Sequence, residues 1–172
     1  MKNLGLGFIL ALLACDSTAT TSDSGRAAPQ EAVAEVPEIK GRVSDHAGLL
    51  SPDERAELEL LLSDFEARTQ NEFAVLTVPS TGAETIEEFS LRVARKWGVG
   101  REGLDNGLLI VVARDDRKVR IEIGDGLRQG PIPDSVAQGV MDGHLIPAFA
   151  EGRWAEGLNA GLQALIAATD QE

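Results

Sequence analysis

Five residues with oxygen donors stand at positions where loops are expected: Asp45, Asp105, Asn106, Asp115 and Asp116. Carboxylate and amide oxygens without His or Cys are the ligands that hard divalent cations such as Ca2+ or Mg2+ take. The same residue types also form turns, because Asp and Asn side chains hydrogen-bond their own backbone. Both readings stand at each position. Strand geometry restricts the first one. Asp105 and Asp125 fall at one end of an expected hairpin and Asp115-Asp116 at the other, so they cannot all share one ion. The Asp115-Asp116 turn falls at the carboxyl end of an expected parallel strand pair, where open sheets bind ligands. Ser80, Thr81 and Glu84 follow the neighbouring strand and are placed to approach it.

Other catalytic sets are missing. There is no Gly-x-Ser-x-Gly elbow, and His46 and His144 sit in Asp-His-Ala and Gly-His-Leu contexts without partners. No Walker loop or dinucleotide fingerprint occurs. The stretch Gly124-Asp125-Gly126-Leu127-Arg128-Gln129-Gly130 is glycine-rich but wrongly spaced for phosphate binding, and it reads as a turn. No catalytic residue is assigned. The 172 residues carry 16 Lys+Arg against 28 Asp+Glu, a net charge of −12. That surplus repels phosphate backbones and argues against a nucleic-acid partner. One Cys and two His exclude a zinc finger, and a single Cys excludes an internal disulfide. Hydrophobic residues make up 43% of the chain, enough for one domain with a packed core.

The elements that must position these residues follow from periodicity. Ser51-Pro52-Asp53-Glu54 reads as a capping box, and Leu58, Leu61, Leu62 and Phe65 recur at helical spacing up to Thr69. Glu72 to Val78 is a buried strand. Thr85 and Glu88 form a second capping box, before a helix whose stripe is Ile86, Phe89, Val93 and Trp97 and which stops at Gly98. Leu108 to Ala113 is apolar throughout, as expected of a central strand covered on both faces. After the polar turn 114–117, Val119, Ile121 and Ile123 alternate with charged residues and predict a half-exposed strand, antiparallel to the one before. Short helical structure is expected near Asp134 to Asp142. A last helix runs from Trp154 to Ala168, where Gly157 and Gly161 permit close packing. This order predicts an α/β protein with a central mixed β-sheet and helices on both faces, in which strands 72–78 and 107–113 are parallel.

The N-terminus carries the one Cys. Met1-Lys2-Asn3, the apolar run Leu4 to Ala14 and Cys15 have the layout of a secretory signal, too short to span a membrane. Leu12-Leu13-Ala14-Cys15 resembles the bacterial lipobox, which implies cleavage after residue 14 and a lipid on Cys15. Two or more acyl chains make such an anchor stable. Asp16 resembles an inner-membrane retention signal. Residues 15–38 then read as a lipidated Cys and flexible tether, and 39–172 as the folded domain.

Six motifs occur in order: Val43-Ser44-Asp45-His46-Ala47-Gly48-Leu49-Leu50-Ser51, Trp97-Gly98-Val99-Gly100, Asp105-Asn106-Gly107, Asp116-Arg117, Arg120-Ile121-Glu122-Ile123-Gly124, and Pro147-x-Phe149 with Gly152-Arg153-Trp154. Together they resemble the TPM domain of thylakoid-lumen, bacterial periplasmic and animal membrane-associated proteins. The resemblance implies a three-layer α/β/α sandwich on the periplasmic side of a bacterial membrane. It implies divalent-cation binding by acidic loops, with Asp45, Asp105, Asn106 and Asp116 the matching positions and Asp115 adjacent. It also implies contact with membrane protein complexes in assembly, repair or quality control, as plant members serve photosystem II repair. A weak metal-dependent acid phosphatase is the alternative, with Arg117 and Arg120 as the charge clamp. A monomer is expected. Two departures stand out: Gln70-Asn71 replaces a frequent Thr-Gly, and Asp125 replaces a frequent aromatic residue.

Overall fold

The structure, a computed structural model, describes residues 33–170. The signal segment, Cys15 and most of the tether lie outside the described residues. A four-stranded sheet has the order β1-β2-β3-β4, with β1 (Val43–Asp45), β2 (Glu72–Val78), β3 (Gly107–Ala113) and β4 (Lys118–Ile123). The first three strands are parallel and β4 is antiparallel to β3. Val43, Val75, Ile110 and Ile121 lie in one row across the sheet. The helices are α1 (Pro52–Thr69), α2 (Ile86–Trp97), α3 (Asp125–Arg128), α4 (Asp134–Val140), α5 (Ile146–Ala150) and α6 (Trp154–Thr169). The sheet is mixed and covered on both faces, so the three-layer α/β/α expectation holds. Among the described residues, no helix is long and apolar enough to cross a membrane.

Strand alternation divides the core into two. Val43, Phe73, Val75, Leu108, Ile110, Val112, Ile121 and Ile123 face α1 and α6, whose Leu58, Leu62, Phe65, Leu158, Leu162 and Leu165 complete that cluster. Ala74, Leu76, Val78, Leu109, Val111 and Ala113 face Ile86, Phe89 and Val93 of α2. Every residue of β3 is buried, as its unbroken apolar run requires. Both capping boxes are formed: Ser51 with Glu54 opens α1, and Thr85 with Glu88 opens α2. Gly157 and Gly161 admit the α5 side of the fold, since a Cβ there would meet Ala148 and Leu145.

Three features go beyond what the sequence pattern predicts. The first is β1, too short for periodicity to reveal. Its opening N–H groups, on Arg42 and Val43, donate to the Glu59 carboxylate of α1 at 2.9 and 2.8 Å. The Arg42 guanidinium pairs with Glu66. A helix carboxylate therefore sets the start of the strand. Glu59→Ala is expected to cost about 1–3 kcal/mol, the range for losing charge-assisted hydrogen bonds to half-buried amides. Hydrogen exchange should show Arg42 and Val43 amides losing protection ahead of β2, and Glu59→Gln, which keeps one acceptor, should cost less.

The second concerns the tether. Composition places its end at residue 38, but Val33 bridges to Gly82 and residues 34–37 lie against α2. Val36 is 4% exposed and joins the α2 core. Arg92, Lys96 and the Trp97 indole donate to the carbonyls of Ala34, Val36 and Pro37. These backbone groups are satisfied by side chains far along the chain, which composition does not disclose. The third is the region after α4. The expected short helix does not stop near Asp142; a π turn at Met141–Leu145 carries it on into α5.

Candidate functional site

The carboxyl ends of the three parallel strands meet in a frame built on two aspartates. Asp45 closes β1. Its Oδ1 accepts from the Leu49 N–H at 3.1 Å and from the Thr77 hydroxyl, and its Oδ2 accepts from the Leu50 N–H at 3.0 Å. Thr77, fully buried near the end of β2, accepts in turn from the Ala47 N–H at 3.1 Å. Burial pushes the Asp45 carboxyl up, but the bonds from Thr77, Leu50, Leu49 and Gly48 outweigh it and leave the group below its ordinary value. Asp45 thus folds the loop between β1 and α1 around itself.

Asp116, in the turn between β3 and β4, has the corresponding role. Its Oδ1 accepts from the Ser80 hydroxyl at 2.8 Å, and its Oδ2 from the Thr81 N–H at 2.8 Å. Burial raises this carboxyl too, and the Thr81 and Ser80 bonds with the nearby Lys118 charge bring it below its ordinary value. The hairpin turn is thereby tied to the loop after β2. Ser80 and Thr81 make the approach their position suggests; the Glu84 carboxylate instead binds Arg92. Asp115 is exposed and paired with Arg114 at 2.8 Å, which lowers its carboxyl. Arg114 also donates to the Ala47 carbonyl at 2.7 Å, so one guanidinium links the turn to the Asp45 loop.

Asp105 and Asn106 lie at the opposite end of the sheet, just before β3. The buried Asn106 donates to the Gln70 carbonyl at 2.7 Å and accepts from the Arg101 N–H at 2.9 Å. Asp105 adopts a left-handed φ of 47°, and its carbonyl accepts from Gly126. The structure therefore brings Asp45, Asp115 and Asp116 to one edge and keeps Asp105 and Asn106 away from them.

The fit of a cation to this edge follows from the lone pairs. Asp45 has three acceptor positions filled by its own loop and Thr77, and Asp116 is held by Ser80 and Thr81. Asp115 alone keeps an outward face. Among the described residues no group of three or more His, Cys, Asp or Glu stands together as a metal cage. Ca2+ takes 6–8 oxygens, whereas Mg2+ is held by one or two carboxylates and keeps several waters. The donor set suits a largely hydrated ion.

Two partners of this edge are not legible in the sequence. Thr77 reads as one more β-branched strand residue, and nothing marks its hydroxyl. Beside the frame lies a cavity of about 460 Å3 between the β3–β4 hairpin and the α5–α6 corner. Phe149 and Trp154 line it together, their rings tilted by 38° with centroids 4.9 Å apart. In the sequence Trp154 belongs to a helix stripe and reads as core.

A sequence profile of the TPM domain matches residues 43–168. No curated protein matches the chain. Among solved structures, the N-terminal domain of a protein from P.gingivalis is 41% identical, with a TM-score of 0.69, covering 74% of this chain and 81% of that one. The N-terminal domain of the cg2496 protein from Corynebacterium glutamicum is 20% identical, with a TM-score of 0.59 and coverage of 81% and 86%. The BA42 protein from the psychrophilic bacterium Bizionia argentinensis is 19% identical, with a TM-score of 0.59 and coverage of 71% and 82%. The last two share the fold. With the profile spanning most of the described residues and the six motifs in place, the chain belongs to the TPM domain family.

Proposed function

We propose that this chain is an extracytoplasmic binding domain, held at a bacterial membrane by a lipid on Cys15. In this reading it engages membrane proteins or their complexes through the carboxyl end of its parallel strands. The observation that carries it is the pinned edge itself. Asp45 and Asp116 are fixed by the chain's own donors and stay ionised at neutral pH. A fixed, charged edge is a recognition surface whose groups need no reordering on binding. Ca2+ or Mg2+ is proposed to bind at the outward face of Asp115 with the remaining lone pairs of Asp116, keeping most of its water. The inner membrane is the proposed location, from Asp16, and assembly, repair or quality control of membrane complexes the proposed role.

The acid phosphatase reading draws on Arg117, next to Asp116; Arg120, the other half of the expected clamp, is paired with Glu122. This reading is the weaker of the two, because a general base works best with a pKa near the operating pH. Both aspartates are shifted the other way. Titration of the protein with Ca2+ and then Mg2+, followed by backbone amide shifts, tests the cation. Saturable shifts confined to residues 80–81 and 114–117 are expected, and their absence removes the cation from the proposal. Added chromogenic phosphate ester should not turn over; turnover lost in Asp116→Asn would replace binding by hydrolysis. Labelling with a palmitate analogue in cells, expected for the native chain and absent in Cys15→Ser, checks the anchor.

A further inference from the structure

The cavity beside the frame has a composition of its own. Its walls are Val112, Val119, Ile146, Phe149, Ala150 and Trp154, and its rim is Arg114, Arg117 and Lys118. The lining includes no side-chain hydroxyl, amide or carboxylate. The volume of about 460 Å3 falls in the range of small-molecule sites. Ile146 is 47% exposed, so the apolar floor is open to a ligand. Arg114 is committed to Asp115 and the Ala47 carbonyl. Arg117 and Lys118 are exposed, and neither has an ion-pair partner among the described residues. The Trp154 indole N–H likewise has no hydrogen-bond partner among the described residues, whereas that of Trp97 does. In a chain with a net charge of −12, three cations and no carboxylate line this hollow, with Asp115 and Asp116 of the same turn drawing on Arg114 and Lys118 from outside it.

We infer that this cavity binds an amphiphilic anion, an apolar acyl-type chain ending in a carboxylate or phosphate. The rim selects the sign of the head and the walls take the chain. A peptide fits less well, because the walls offer its buried amides no side-chain donor beyond the Trp154 indole N–H and no side-chain acceptor, and an unpaired buried amide is costly. The head can come from a free acid or from an anionic lipid in a bilayer, and the chemistry at the rim is the same. The inference is separate from the cation proposed above, since its ligands are anions; because Lys118 acts on Asp116, the titrations are run without divalent cation, so that the two sites are read apart.

The test uses the full chain carrying Cys15→Ser, so that its own lipid does not compete. Decanoate and decyl phosphate, below their micelle concentrations, are titrated against amide and indole shifts. Saturable shifts confined to residues 112–119 and 146–154, with the Trp154 indole among them, are expected. The double variant Arg117→Gln with Lys118→Gln changes two exposed side chains, so its fold should be intact. It should weaken decanoate by roughly tenfold or more, the effect of losing a charge-assisted contact. Decanol supplies the chain without the charge, and inorganic phosphate the charge without the chain. Co-sedimentation with phosphatidylglycerol but not phosphatidylcholine vesicles, lost in the double variant, would assign the head to the bilayer. Decanoate binding without vesicle binding would assign it to a free acid. The inference is overturned if neither occurs, if decanol binds as tightly as decanoate, if phosphate alone reproduces the shifts, or if an acidic apolar peptide binds more tightly than either decyl anion.

Discussion

Gly107→Ala is expected to destabilise the domain by about 3 kcal/mol or more, the upper range for overpacking. Gly107 opens the central strand. A Cβ there would lie 2.5 Å from the Val99 carbonyl carbon and 2.6 Å from the Gly100 nitrogen, and closer still to the Val99 oxygen. These are backbone atoms, so no side chain can swing aside. Gly100 reciprocates: at a φ of 99° it tolerates little but glycine, and its own Cβ would meet the Gly107 nitrogen at 2.6 Å. Gly124 is closed in the same way by the Asp105 backbone. Loop 98–107 and the end of β4 therefore pack main chain on main chain. The midpoint of thermal unfolding should fall by about 6–12 °C for that loss in a domain of this size. Gly139→Ala supplies the opposite sign. Nothing lies within 4 Å of its would-be Cβ, and it sits inside α4, so it should stabilise by about 0.5–1 kcal/mol. Equal losses for the two variants would refute the packing argument.

Thr77→Val is expected to cost about 2–4 kcal/mol, although it keeps the shape of the side chain. One hydroxyl donates to Asp45 and accepts from Ala47, and the valine would leave both without that partner. Thr77→Ser should lose much less. The pH profile separates this cause from a packing defect. The Asp45 carboxyl lies below its ordinary value of 3.8 in the folded protein. The unfolded chain therefore binds the proton first, and the stability this group supplies is full above that ordinary value. It is lost as the pH falls through the depressed native value. Asp116 acts in the same direction. Urea unfolding of the native protein should thus become easier as the pH drops below about 4. In Thr77→Val the lowering bond is gone and burial still raises the carboxyl, so the acid slope should flatten; Asp45→Asn should flatten it likewise. An unchanged slope in Thr77→Val would assign the loss to packing alone.

Much of this architecture is legible in local pattern. Capping boxes at Ser51 and Thr85 locate two helices because the bonds they announce close within four residues. The all-apolar run of β3 locates the centre of the sheet. The parallel pairing of β2 with β3 then places Ser80 and Thr81 beside Asp116, a contact between distant residues that topology alone supplies. What pattern does not carry is hydrogen bonding across the fold. β1 is three residues long and rests on Glu59 of α1. The segment around Val36 is held by donors of α2. Thr77 looks like an ordinary strand threonine until Asp45 is folded back onto it. The five loop donors are visible in the sequence as a set. The expected hairpin already separates Asp105-Asn106 from Asp115-Asp116; that Asp45 joins the second end, and that most of the lone pairs are committed to the chain itself, emerge only in the folded structure. The helical run after Asp134 looks shorter in the sequence than it is, because Gly139, Gly143 and Pro147 signal breaks.

That run has a further meaning at the π turn. Pro147 has no N–H to give, and its ring crowds the carbonyl four residues back in an α-helix. The wider turn at Met141–Leu145 relieves both demands just ahead of it. A π turn amounts to one extra residue threaded into a helix, and one residue is about 100° of rotation. Everything after it is turned by that angle relative to α4. The phase at which α5 presents Phe149 to the β3–β4 hairpin is therefore set upstream, and removing one residue from Met141–Leu145 would turn Phe149 relative to the hairpin while leaving the composition of the cavity almost unchanged. The wall of the pocket is set by the phase of a helix as much as by the residues that line it.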